Sequence, residues 1–165
     1  MGRIEKIANL KAELLKTIEK MDKTFIYYKE FRKDFPQHSS DSKKYDLVLL
    51  ADIITDYYTC LETGFVRISK FFENNLDQDR WHKHLLEKMI LEIPGIRNAV
   101  LQEETYYLLD EFLRFRHFKR YYYGYNHDKD RMEYLEKKFL QSIPMVKKDI
   151  QDFLLFLEEL GSQES

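Results

Sequence analysis

The chain of 165 residues has one cysteine, three prolines and five glycines. A lone Cys60 supports neither an internal disulfide framework nor a cysteine zinc site, which suits a reducing cytosol. The few prolines and glycines punctuate long helical patterns, and that argues for an all-α bundle. No apolar run is long enough to span a bilayer, and the first sixteen residues, MGRIEKIANLKAELLK, alternate charge with aliphatics instead of carrying the apolar centre of a signal peptide. A large excess of one charge is also missing: the formal net charge of -2 excludes histone-like basicity, so any nucleic-acid contact must come from a local patch. The expectation is a soluble cytoplasmic protein with no membrane contact.

What is present is apolar material, 44% hydrophobic and 15% aromatic, enough to bury one good core. A single domain over residues 1–165 is expected, with a tail frayed from about 161, and no repeat or linker divides it. Ile4, Ile7, Leu14, Ile18, Met21, Phe25 and Tyr28 form one stripe at helical spacing until Phe35-Pro36. The loop PQHSSDS supplies Ser and Asp as N-cap candidates for a second helix, marked by Leu50, Ile54, Tyr57, Leu61, Phe65, Ile68 and Phe72 and ended by Asn74-Asn75 and the stretch 77–79. Residues 80–93 read as a shorter helix closed by Pro94-Gly95, residues 96–102 as a connecting loop, and residues 103–123 as a helix stopped by Gly124. The last helical stretch carries Leu135, Phe139, Ile143, Val146, Ile150, Phe153, Leu157 and Leu160, with Pro144 expected to kink or divide it. Together these predict an antiparallel bundle of four to five helices.

One segment does not serve a core. LRFRHFKRYYYGY, Leu113 to Tyr125, sets Arg114, Arg116, Lys119 and Arg120 around His117, directly before three tyrosines and a glycine. Arginine forks bind phosphate oxygens, tyrosine rings stack on bases and histidine carries protons near neutral pH, a combination suited to an RNA backbone. The bland alternative is a solvated basic helix end facing the C-terminal dipole. Arg116 and Tyr123, seven residues apart, share one helix face with Arg120 between them, where they can grip one ligand. Tyr121 lies about 140° round from Arg116, close to His117 one turn earlier.

Other candidates read as structural. His82 and His84 are two apart and point to nearly opposite sides of a helix, so no metal site is expected. Trp81 suits a core or interface anchor, Cys60 a buried rather than reactive thiol, and Asp52 with Asp56 a solvated or partner-facing surface.

Arg116 to Tyr123, RHFKRYYY, resembles the motif of the HEPN superfamily: an arginine and a polar residue, a histidine after four to six positions and, in HepT-like toxins, a tyrosine two further on. WHKHLLEKMILEIPGIR and then EETYYLLDEFLRFRHFKRYYYGY are similar in order and spacing to a HepT-like branch, and the resemblance extends over most of the chain. It implies a HEPN-like bundle and a metal-independent endoribonuclease without cofactor. It further implies a homodimer whose two motifs face one cleft, and toxin action beside a nucleotidyltransferase antitoxin that transfers AMP to the motif tyrosine. Arg116 would hold the scissile phosphate, Tyr123 would line the cleft and accept AMP, and Arg114, Lys119 and Arg120 would bind RNA. One position departs from the motif: Tyr121 stands where the catalytic histidine is expected. A phenol with a pKa near 10 is only about one part in a thousand ionised at pH 7, a poor general base. His117, or His127 with a bend at Gly124, can move into the role; otherwise the chain is a nuclease-inactive nucleotide- or RNA-binding partner of the nucleotidyltransferase. A purely structural adaptor leaves the 114–120 cluster unexplained.

Overall fold

A computed structural model describes residues 2–37, 44–73, 81–122 and 124–163. Five helices follow in order: α1 Arg3–Asp34, α2 Lys44–Phe72, α3 Trp81–Met89, α4 Glu103–Tyr121 and α5 Lys129–Gln163. Among the described residues no helix is long and apolar enough to cross a membrane.

Helix α1 starts at Gly2, whose N–H donates to Glu5 Oε2 at 2.8 Å, and stops before Pro36, which restricts Phe35 to an extended conformation. Of its expected stripe Ile7, Leu14, Ile18, Met21 and Tyr28 are buried and Phe25 is half-buried against the core, whereas Ile4, expected to open it, is exposed. Helix α2 is the central element and packs against all four others. Its expected stripe is buried from Leu50 to Ile68, with Phe72 half-buried. The N-cap candidates of the loop and the residues expected to end α2 lie outside the described residues.

Side-chain pairs give the directions. Glu13 meets Arg67 between α1 and α2; Lys11 meets Glu158 and Asp22 meets Lys147 between α1 and α5. Thr17 meets Cys60 further along α1, so in each case one number rises as the other falls and these neighbours are antiparallel. Phe139 of α5 lies where three helices meet, edge-on to Tyr28 (5.2 Å) and Tyr57 (5.0 Å), each such ring pair adding about 0.5–1.5 kcal/mol beyond the area it buries.

Three elements differ from the sequence reading. Helix α3 ends at Met89 rather than near 93, because the Met89 carbonyl accepts from the N–H groups of Val100 and Leu101 at 2.7 and 3.0 Å and the chain turns back through Gly95, at φ 73. The expected loop 96–102 therefore carries a buried anchor: the Arg97 side chain, 0% exposed, donates to the carbonyls of Lys88, Leu91 and Asn98 and to the Glu73 carboxylate. Helix α4 ends at Tyr121, two residues early, as the Tyr122 N–H closes the last turn on the Phe118 carbonyl at 2.9 Å and its backbone leaves the helical region. Pro144 does not divide α5; the residues on either side of it, Ile143 and Val146, are buried in the same core and hold the helix in one piece. That helix continues through Gln163, into the tail expected to fray.

Candidate functional site

The basic segment lies on the last two turns of α4, which runs antiparallel to α2: Lys119 pairs with Asp52, and Arg116 with Thr59 and Glu62. Helix α3 covers the same end of the α2–α4 seam and adds His82. Three helices thus bring one acid, one guanidinium and one imidazole together.

Glu62 is the hub. It sits one turn after the buried Tyr58, and its side chain is only 5% exposed, so its charge requires partners. It has two. Arg116 donates from Nη2 to Oε1 at 3.0 Å and more closely to Oε2, while His82 Nδ1 lies 3.0 Å from Oε2 and closer to Oε1. Arg116 also donates from Nη1 to Thr59 Oγ1 at 3.0 Å, and its guanidinium lies over the Tyr58 ring, 4.8 Å from the centroid. Burial, and next the neighbouring Glu62 charge, push the Tyr58 hydroxyl far above its ordinary pKa of 10.0 and keep it neutral.

The carboxylate fixes the imidazole's tautomer. An ionised Glu62 only accepts, so His82 Nδ1 carries the proton and donates it. Arg116 Nη2 stands 3.2 Å from the same nitrogen; both are donors converging on one acid rather than a donor and its acceptor. In the neutral ring the lone pair is then on Nε2. The Trp81 ring lies 3.7 Å from that of His82 and holds it. Both functional groups remain reachable, Arg116 at 21% and His82 at 36% side-chain exposure.

The other candidates divide between two sides of α4. His117 and Tyr121 come together as expected, ring centroids 4.5 Å apart, on the exposed face, with Tyr121 64% exposed. Among the described residues no contact joins either of them to Arg116. Tyr123 lies outside the described residues. Arg114 turns back to Asp110 of its own helix, donating from Nε to Oδ2 at 2.8 Å. Arg120 is exposed and, among the described residues, the one cation of the four without an acidic partner. His127 packs near Phe115; its own burial, followed by the charge of Lys119, holds its imidazole below the ordinary histidine range.

His84 is exposed and diverges from His82; among the described residues no group of three His, Cys, Asp or Glu side chains is placed to hold a metal ion. Cys60 is partly rather than fully buried; its thiol approaches the Thr17 carbonyl at 3.7 Å, and burial raises its pKa. Asp52 is half-exposed and faces Lys119. Sequence reasoning missed Tyr58, Thr59 and Glu62, and weighed His82 only as a metal ligand. The available signal was Glu62 itself, an acid inside the arc that buries Tyr58, Leu61 and Phe65.

The sequence model of a family described as HepT-like protein matches residues 49–157, a span that holds every one of these side chains and leaves out α1. No curated protein and no solved structure matches the chain.

Proposed function

The chain belongs to the HepT-like family of the HEPN superfamily, and from that premise we propose that it is a toxin-type, metal-independent endoribonuclease acting in the cytosol. The observation that carries this reading is the state of Arg116. The motif arginine is tethered by Glu62 and Thr59 over the Tyr58 ring and keeps 21% of its side chain exposed. Those bonds leave the Nε–H and one Nη1 hydrogen, on different sides of the guanidinium, and either can meet a phosphate oxygen. An immobilised guanidinium loses little entropy on engaging the scissile phosphate and stabilises charge that develops on its oxygens. Exposed Arg120, one turn further, adds a second cation, and Tyr121 and Tyr122 offer rings for bases to stack on.

The same reading makes the protein a homodimer with the two α4 ends facing one cleft, controlled by a nucleotidyltransferase antitoxin that adenylylates Tyr123. A nucleotide there brings a phosphate beside the basic end of α4 and competes with RNA for it. The test is incubation of purified, unmodified protein with single-stranded RNA in EDTA. Discrete cleavage products are expected. RNA binding without cleavage would instead support a nuclease-inactive binding partner of the nucleotidyltransferase, a reading favoured by the exposed Tyr121 phenol at the motif's histidine position.

A further inference from the structure

We propose that His82, a residue of α3 outside the motif, is the proton acceptor of this site, with Glu62 as its positioning residue; the inference rests on the ribonuclease reading above. The motif's own histidine position holds Tyr121, and the two substitutes offered by sequence stand elsewhere. His117 faces outward against Tyr121. His127 lies beside Phe115, with Lys119, Arg131 and Asp52 as its charged neighbours. His82 is the imidazole that shares an acid with Arg116.

The geometry suits the step. Glu62 accepts the hydrogen bond from Nδ1–H, so the basic lone pair is on Nε2, the ring nitrogen that does not face the carboxylate. A phosphodiester engaged by the Arg116 guanidinium then has beside it an imidazole that is 36% exposed and 3.2 Å from Nη2 at its Nδ1. Among the described residues, Glu62 from α2 and Arg116 from α4 are the charged groups that meet the ring. In the reaction the ribose 2′-oxygen gives its proton to Nε2 and bonds to phosphorus. The bond from phosphorus to the 5′-oxygen breaks, and that oxygen takes a proton from water, whose hydroxide recovers the proton held by His82; the products are a 2′,3′-cyclic phosphate and a 5′-hydroxyl, with the neutral imidazole restored. The charge gained by the imidazole is stabilised by the ionised Glu62 beside Nδ1, the arrangement by which a carboxylate supports a histidine base elsewhere.

The test measures RNA cleavage in EDTA by the full chain and by His82→Ala, His82→Gln and His84→Gln, with folding checked by circular dichroism. His82→Ala is expected to lose about 100-fold or more in rate, the ordinary contribution of a general base, and His84→Gln to match the parent. Added imidazole should restore a measurable part of the His82→Ala rate, and should restore less in the Glu62→Gln/His82→Ala double variant, where the free ring meets a neutral amide oxygen in place of the carboxylate charge; a merely structural histidine gives no such rescue. Parent-level cleavage by folded His82→Ala, or a loss that imidazole does not relieve, overturns the assignment and leaves the ribonuclease reading standing. Should His82→Ala not fold, parent-level cleavage by His82→Gln overturns it in the same way. A parent that does not cleave RNA defeats the ribonuclease reading itself, and the inference with it.

Discussion

Lys119 on α4 meets Asp52 on α2, so a lysine that looks in sequence like part of a phosphate-binding row is tied to a neighbouring helix. Arg114 and Arg116 have acids too, Asp110 and Glu62. A basic segment largely neutralised by its own fold is not a broad electrostatic surface. Specific contacts have to come from Arg116 and Arg120.

That count sets the salt dependence of RNA binding. With Arg116 and Arg120 as the two phosphate contacts, the slope of log K against log salt should be about −1.4 for each protomer that contacts single-stranded RNA. Anisotropy titrations with labelled RNA at several KCl concentrations measure it. A slope near twice that value would show that Arg114 and Lys119 also release counterions.

Arg116→Ala should abolish cleavage and also destabilise the fold by about 3 kcal/mol, since it strips a 5%-exposed carboxylate of one of its two partners. Urea denaturation checks the second effect. Adding Glu62→Gln to Arg116→Ala should recover much of the stability without recovering activity. Arg114, on the exposed side and paired only with Asp110 of its own helix, should be replaceable by Ala with little change in cleavage. Equal losses from both arginines would point to a nonspecific basic surface.

Tyr123→Phe should leave the helical signal at the parent's level while abolishing AMP transfer to this segment, because only the hydroxyl can accept it. Mass spectrometry after incubation with the cognate nucleotidyltransferase and ATP is the readout. AMP on the Phe variant's segment would move the acceptor to Tyr121, Tyr122 or Tyr125.

His127 gives the stability a pH dependence of known sign. Burial, then the charges of Lys119 and Arg131, lower its pKa from 6.5, with Asp52 opposing. The native state therefore binds this proton less readily than the unfolded chain does. Its contribution is fully present above about pH 6.5 and is lost as the pH falls from there through the native pKa. Urea midpoints between pH 7.5 and 5 should fall less for His127→Gln than for the parent; parallel curves would refute this.

Gly64 of α2 faces Thr17 of α1, where an added Cβ would stand 3.1 Å from Oγ1 and 3.2 Å from Cγ2. In a Thr17→Ala background Gly64→Ala should stabilise by about 1 kcal/mol through helix propensity. In the parent the gain should shrink or reverse, because Thr17, whose hydroxyl donates to the Glu13 carbonyl, has to move. Equal effects in the two backgrounds, read from a denaturation cycle, would disprove the close approach.

The parts of this molecule legible in sequence are those set by short-range periodicity. Helical spacing revealed the buried stripe of α2, most of that of α1, and the meeting of His117 with Tyr121, since residues four apart meet on any helix. The Arg116 partners were hidden because Glu62 is 54 residues away and His82 is 34, and only the packing of α2, α3 and α4 brings them together. Spacing alone also treated His82 and His84 as a pair, when the helix sends one to the site and the other to solvent. Arg97 was illegible for a similar reason: in sequence it is a charged residue in a loop, and its acceptors are carbonyls that exist as a cluster only once α3 has ended.

Arg97 has a consequence for the order in which the protein comes apart. Helix α3 has nine residues, too few to persist alone, and the Arg97 guanidinium fastens its end to Glu73 beyond α2. Replacing Arg97 with Met would leave the long helices their shared core but release the segment that presents His82. Catalysis would then fail at a denaturant concentration where most of the helical signal is still native, and the amides of α3 would exchange with solvent through a partial opening long before those of α2 and α5.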